Sequence, residues 1–180
     1  MRCVLDTDRL VRRGPLVSKL LRPLLAPKQT LACHPKGNDG NVFLSPHLGT
    51  ELVQTTIAPI QDGWKFPTKV RNLSASYHEL WRSTDFRRRQ YYLERAYLHI
   101  YLQSRNEPDL EIVALHCDPN EARAERHYRY KAGPHIHMST AVDPLHHAHI
   151  GLNNDDLEDV LSSIDNLTNA LRLAILMIDD

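Results

Sequence analysis

The strongest periodic pattern of the chain lies at its C-terminal end. After Asn153 and Asn154, apolar side chains recur at the three- and four-residue spacing of one helix face, and Asp155 and Asp156 stand where a helix cap is favoured. The apolar positions are Leu157, Val160, Leu161, Ile164, Leu167, Leu171, Ala174, Ile175 and Ile178. This pattern predicts a long amphipathic helix within residues 153–180.

A second helical pattern covers residues 8–26, with Asp6 or Asp8 in place to cap its first turn. The pair Gly14-Pro15 falls inside this pattern. Proline removes a backbone hydrogen bond, and its ring clashes with the preceding turn of a helix. We therefore expect short or kinked helical pieces here rather than one continuous helix.

The segments that follow lack a clear period. Residues 34–50 combine glycine, asparagine, aspartate and proline, a composition that predicts a loop. A strand-like stretch at residues 53–57 precedes a turn at Asp62-Gly63. From there to residue 90 the pattern predicts irregular structure.

Four segments in the second half of the chain have β-type patterns. They are residues 91–103, 110–117, 127–139 and 146–152. The polar segment 105–108 predicts a hairpin between the first two. The second segment alternates only weakly, which is typical of a central strand buried on both faces.

Together these elements predict one α+β domain over residues 1–180. Its parts are a basic helical and loop region (1–50), an antiparallel sheet of about four or five strands (51–152) and the long C-terminal helix (153–180). We expect the C-terminal helix to pack on the apolar face of the sheet.

Side chains alternate between the two faces of a strand, so residue parity identifies the side chains that share a face. In segment 127–139, His135 and His137 belong to a polar odd-numbered set, and the even-numbered set is mostly apolar. If the apolar sets of the last two segments join one core, the antiparallel pairing needs an even sum of residue numbers, such as 137 with 147 or 137 with 149. This register places four imidazoles together on the non-core face: His135, His137, His147 and His149.

The segment 91–103 extends this face. Its apolar set is Ala96, Leu98, Ile100 and Leu102, and its opposite set contains Arg95, Tyr97, His99 and Tyr101. The segment 110–117 ends at His116-Cys117-Asp118, where a strand meets a loop and functional groups are common. Cys117 follows His116 directly, and neighbouring strand residues point to opposite faces. His116 therefore cannot activate the thiol, and we expect Cys117 to be inert.

Paired His-x-His sequences on neighbouring strands supply three or four imidazoles at the spacing of a metal site. The predicted metal ligands are His135, His137, His147 and His149, with His116 or Asp118 completing the set. Three protein ligands and an open position suit zinc acting on a bound water. The leading hypothesis is a metal-dependent hydrolase with a phosphoester or nucleotide-like substrate and zinc as the favoured divalent metal. The catalytic candidates are His116, Lys131, His135 and His137.

Two other functions fit the same face. Paired histidines with Lys131, Arg129 and Tyr101 suit metal-free phosphodiester cleavage by general acid and base catalysis. The face also suits a non-enzymatic interaction surface, including a module that holds single-stranded nucleic acid on its His, Arg and Tyr side chains. None of these motifs assigns the chain to a family.

Net charge argues against general attraction to polyanions, since 22 Lys and Arg balance 22 Asp and Glu. Residues 1–30 contain seven basic and two acidic groups, whereas residues 153–180 contain seven acidic groups and Arg172 alone. These two ends are expected to face each other in the fold, or to bind a second copy or a partner protein. The eleven histidines count as neutral only by convention.

The three cysteines are widely spaced and suggest neither a disulfide framework nor a zinc ribbon. A reducing, cytoplasmic location is the simplest interpretation. The most apolar stretch, residues 167–178, has 12 residues and includes Arg172, whereas a spanning helix needs about 20. We expect no membrane span.

Overall fold

An antiparallel sheet and two helices form the part of the chain that this computed structural model describes, namely residues 3–37, 40–47, 65–85, 87, 89–119, 134–138, 148–151 and 164–179. The strands are β1 (Val4–Asp6), β2 (Ala32–Gly37), β3 (Asn41–His47), β4 (Lys65–Pro67), β5 (Leu73–Asp85), β6 (Gln90–Leu102), β7 (Leu110–Cys117), β8 (His135–Met138) and β9 (Ala148–Gly151). The helices are α1 (Thr7–Leu21), which runs into a 3-10 turn at Arg22–Leu24, and α2 (Ile164–Asp179).

The strands follow the order β2-β3-β5-β6-β7-β8-β9, with β1 paired to β6 and β4 paired to β5. Every pairing is antiparallel. The predicted α+β class and antiparallel sheet are confirmed, as is the hairpin formed by β6 and β7. The predicted strand number is too low, because the described residues contain nine strands.

Two of the additional strands, β2 and β3, lie largely within residues 34–50, where a loop was predicted. They pair antiparallel, with Gly37 at the end of β2 and Gly40 just before β3. Pro35 is compatible with β2 because this strand stands at the end of the described strand order, and proline within sheets is found on edge strands. Pro46 lies beyond Leu44, where the pairing of β3 with β5 ends. A Cβ at Gly37 would overlap the carbonyl oxygen of Asn41, so this position requires glycine.

Strand β5 occupies much of the stretch that was predicted to be irregular. Its residues from Ser74 to Trp81 are buried on both faces, and the buried set includes Ser76, His78 and Glu79. A register shift between Leu80 and Trp81 further breaks the two-residue period. A strand of this kind shows no alternation of apolar and polar residues. The predicted strand at residues 53–57 and turn at 62–63 lie outside the described residues.

Helix α1 is continuous through Gly14-Pro15, contrary to the expected interruption. Asp6 caps it as predicted, since its carboxylate accepts a hydrogen bond from the Arg9 amide at 2.8 Å. A Cβ at Gly14 would overlap the carbonyl oxygen of Cys33, so glycine allows α1 to lie directly on β2. Buried residues on both sides of the exposed Pro15, among them Leu10, Val17 and Leu21, hold the helix in place.

Both helices pack on the same face of the sheet. The core between them joins Val17 and Leu21 of α1 and Leu171 of α2 to Leu98 and Ile100 of β6. The predicted packing of the C-terminal helix on the apolar sheet face is therefore confirmed for Ile164–Asp179. The described helix is shorter than predicted, and the expected caps Asp155 and Asp156 lie outside the described residues. Leu102 is exposed at the end of β6 rather than in the core.

A buried ion pair connects the two helices to the sheet. Arg13 of α1 and Glu79 of β5 are 3% and 0% exposed, and the guanidinium contacts both carboxylate oxygens at 2.7–2.8 Å. Arg13 also donates to the Thr168 hydroxyl of α2 at 3.1 Å. Tyr77 and Trp81 donate further hydrogen bonds to Glu79. Burial lowers the pKa of Arg13, but the combined effects of Glu79 and Tyr77 outweigh burial, so the pKa is raised.

Helices α1 and α2 are thus neighbours within one chain, whereas most of the acidic groups expected to face the basic end lie outside the described residues. Within the described ranges, neither helix has the length and apolar character needed to cross a membrane.

Replacing Glu79 should destabilise the fold, because Arg13 would remain buried without its counter-ion. Glu79→Gln leaves Arg13 as a buried cation without a counter-ion, so we expect the free energy of unfolding to fall by about 3 to 5 kcal/mol. The matched control is Glu94→Gln, which removes an ion pair to Arg82 on the surface and should cost less than about 1 kcal/mol. Urea unfolding monitored by circular dichroism measures both losses, and equal losses would contradict the expected role of Glu79.

Candidate functional site

The sheet register gathers aromatic and imidazole rings on the face opposite the helices. His78 pairs with Tyr97, Tyr97 with His116, and His116 with His135, so these four residues form one row across β5, β6, β7 and β8. In the next row, His99 pairs with Ala114, and Ala114 with His137. Directly paired residues share a face of the sheet, which brings the rings of each row side by side.

The predicted register between the last two strands is confirmed. β8 pairs with β9 so that His137 lies opposite His149, one of the even-sum pairings expected from parity. His135 and His137 therefore join the site through β8. His147 and Lys131 lie outside the described residues, and for His149 only the backbone position is described.

Three side chains converge at one end of the first row. One nitrogen from each of His116 and His135 and one oxygen of Asp118 lie within 4.8 Å of one another. His135 is buried, whereas His116 and Asp118 are half-buried. The hydroxyl of Tyr97 donates a hydrogen bond to Asp118 and fixes one carboxylate oxygen. Two imidazoles and one carboxylate in this arrangement match the donor set of a metal site with open coordination positions.

Of the four histidines predicted as the main ligands, this donor set contains only His135. His116 and Asp118 had been expected merely to complete a set built on the two His-x-His pairs. His116 and His135 are neighbours because they pair across β7 and β8. Alternation within a single strand does not reveal such a pairing. His137 takes a different position, since its ring stacks on His116 with centroids 5.3 Å apart and 15° between the planes.

A second cluster centres on Glu111, which the sequence analysis did not identify. Its carboxylate oxygens lie 2.5 Å from Nδ1 of His99 and 3.7 Å from Nδ1 of His137. The hydrogen bond with His99 lowers the pKa of Glu111 against the opposing effect of partial burial. Glu111 can thus orient both imidazoles, and its carboxylate can balance a positive charge on either ring.

A β-bulge turns Glu111 toward this face. Ile100 pairs with Val113 but Tyr101 pairs with Glu111, so Ile112 is an extra residue in β7. The weak alternation of residues 110–117, attributed above to burial on both faces, also records this bulge. It was the one sequence signal that could have indicated Glu111.

The non-core face was expected to be a polar surface, but much of it is buried. His135, His137 and His78 are 1%, 8% and 6% exposed. Rings pack against rings, as in the parallel stacking of His99 and Tyr101. Burial, together with the charges of Arg95 and His99, lowers the pKa of His78 to about 3. Burial on this face therefore keeps at least one imidazole neutral.

The remaining groups, a lysine and three cysteines, are held by ion pairing or burial. The Lys65 ammonium lies 4.3 Å from the centre of the Tyr101 ring and forms an ion pair with Asp109 at 2.9 Å. Cys117 is a buried thiol that forms no disulfide, and burial raises its pKa, which agrees with its expected inertness. Burial likewise raises the pKa of Cys3 to about 11 and of Cys33 to about 12.

Comparisons of the chain with protein-family models, with curated proteins and with solved structures found no significant match. The chemistry of the site itself is therefore the basis for a functional assignment.

The buried His78 predicts a specific pH dependence of stability. The unfolded chain protonates this imidazole near pH 6.5, whereas the folded protein does so only near pH 3, so stability falls as pH decreases between these values. The loss is about 1.4 kcal/mol per pH unit in this window. We expect His78→Gln to flatten the dependence of unfolding free energy on pH between 6.5 and 4, measured by urea titration. The exposed His34 provides the control His34→Gln, and an unchanged slope in His78→Gln would refute the assignment.

Proposed function

We propose that His116, Asp118 and His135 bind one divalent transition metal, with zinc favoured, and that the protein is a metal-dependent hydrolase. The observation that supports the proposal is the convergence of three ligand atoms within 4.8 Å. The proposed substrate class is a phosphoester or a nucleotide-like molecule.

The donor set favours zinc for a chemical reason. Imidazole nitrogens and a carboxylate oxygen are ligands of catalytic zinc, which keeps one position for water or substrate. Iron(II) also binds two histidines and one carboxylate, so a metal panel belongs in the test. Tyr97 supports the site because an outer hydrogen bond holds a metal-binding carboxylate in one orientation.

Hydrolysis requires an activated water and a group that takes its proton. A zinc ion held by His116, Asp118 and His135 would supply the first, since zinc lowers the pKa of a bound water toward neutrality. The Glu111 cluster can provide the group that takes the proton. The His137 ring stacks on His116, and Nδ1 of His137 faces Glu111. This arrangement favours hydrolysis over a purely structural metal site.

One observation favours metal-free acid and base catalysis as a second candidate function. His99 and Glu111 form a carboxylate–imidazole pair, the arrangement that orients a catalytic histidine. In that case His116, His135 and His137 act as proton donors and acceptors for phosphodiester cleavage, with Lys131 as a phosphate contact. A non-enzymatic nucleic-acid module remains the outcome if binding occurs without turnover.

Location and partners stay predictions. A cytoplasmic location is proposed because reduced thiols are typical of that compartment, and Cys3, Cys33 and Cys117 form no disulfide. A second copy or an acidic partner protein is proposed for the basic end of the chain, where Arg9 and Arg12 of α1 are exposed.

Metal content tests the main proposal. Protein purified without a histidine tag and equilibrated with zinc should bind one equivalent, measured by mass spectrometry of the metal and by calorimetry. Asp118→Asn should weaken zinc binding by at least the roughly 10- to 100-fold typical of losing an outer-shell partner, because it removes a direct ligand. The double variant His116→Ala, His135→Ala should abolish zinc binding. The exposed His34→Ala is the matched control and should bind zinc like the wild type.

The result that would refute the proposal is a wild-type protein that binds no stoichiometric zinc, manganese, iron or cobalt. Phosphodiesterase activity that survives a chelator and is lost in Glu111→Gln would then support the metal-free function. Far-ultraviolet circular dichroism of each variant separates loss of ligands from loss of fold.

A further inference from the structure

Arg95 lies at the edge of the proposed metal site. Ala96 pairs with Cys117, so Arg95 and Asp118 occupy the next position of the same two chain segments. Arg95 has the strand parity of Tyr97, and its Cζ atom lies 5.7 Å from the centre of the Tyr97 ring. Tyr97 in turn donates its hydroxyl to Asp118. The guanidinium therefore lies near the Tyr97 ring, on the face that carries the site, and the Tyr97 hydroxyl in turn holds the carboxylate ligand.

The donor capacity of Arg95 is not fully used. Its Nε atom is buried and has no hydrogen-bond partner within the described ranges of the chain. Leaving a buried donor unpaired costs about 1 to 3 kcal/mol, and more for a charged group. The neighbouring His78 offers no negative charge, and one Asp118 oxygen already accepts from Tyr97. Within the described residues, the buried Nε–H of Arg95 therefore still requires an acceptor.

Metal binding would sharpen that need. A divalent ion would add two positive charges to the one negative charge of Asp118, so these two groups and Arg95 together would carry a charge of +2. A phosphoryl group of charge −2 balances it, and a guanidinium is suited to phosphate oxygens because its N–H groups form a planar fork.

We propose that Arg95 binds the phosphoryl oxygens of the substrate beside the metal and thereby selects phosphate-bearing substrates. The inference rests on the proposed function, since it assigns the substrate contact of the same site.

The test uses the zinc-equilibrated full chain and inorganic phosphate as the probe, with acetate as the comparison anion. Calorimetry should show phosphate binding to the wild type and a loss of about 10- to 100-fold in Arg95→Met, as expected for a charge-assisted hydrogen bond. Arg95→Lys keeps the charge without the fork and should fall between them. Arg82→Met, which removes an exposed arginine of β5, is the matched control and should bind phosphate like the wild type.

Each result decides between the proposals. Bound zinc in all variants with equal phosphate affinity in the wild type, Arg95→Met and Arg95→Lys overturns the role of Arg95 and leaves the metal site intact. Bound zinc without phosphate binding, or acetate binding as tight as phosphate binding, does the same. No zinc in the wild type overturns both proposals. If Arg95→Met does not fold, Arg95→Lys decides, and wild-type phosphate affinity in that variant overturns the inference.

Discussion

The buried contact between Arg13 and Glu79 constrains how the two helices sit on the sheet. A charge removed from water is tolerable only with its partner in place, so α1 cannot slide along β5 without a cost of several kcal/mol. The bond from Arg13 to Thr168 extends the constraint to α2. Both helices are thereby held on one face, and the opposite face is left to the rows of rings.

The site depends on register in the same way that the core does. Leu98 and Leu115 face the helices, while their strand neighbours Tyr97 and His116 face the other side. A slip of one residue would exchange these faces, so packing against α1 and α2 indirectly fixes which rings meet. The bulge at Ile112 places Glu111 on the face of the rings, whereas regular alternation would place it on the opposite face.

Sequence alone predicted what depends on local period, and missed what depends on neighbouring strands. The even-sum register of the last two strands, of which His137 opposite His149 is one case, followed from parity because one face had to be apolar. β5 was missed since Ser76, His78 and Glu79 are buried and hide its period. The proximity of His116, Asp118 and His135 arises from the pairing of β7 with β8 across an intervening segment, which no pattern within either strand encodes.

A zinc K-edge X-ray absorption spectrum of the zinc-equilibrated protein tests the central claim most directly. The account predicts two imidazole ligands at about 2.0 to 2.1 Å together with oxygen ligands at about 2.0 to 2.2 Å. The imidazole count should fall from two to one in His135→Gln. A spectrum with oxygen ligands alone, or one that is the same in His135→Gln and in the wild type, would contradict it.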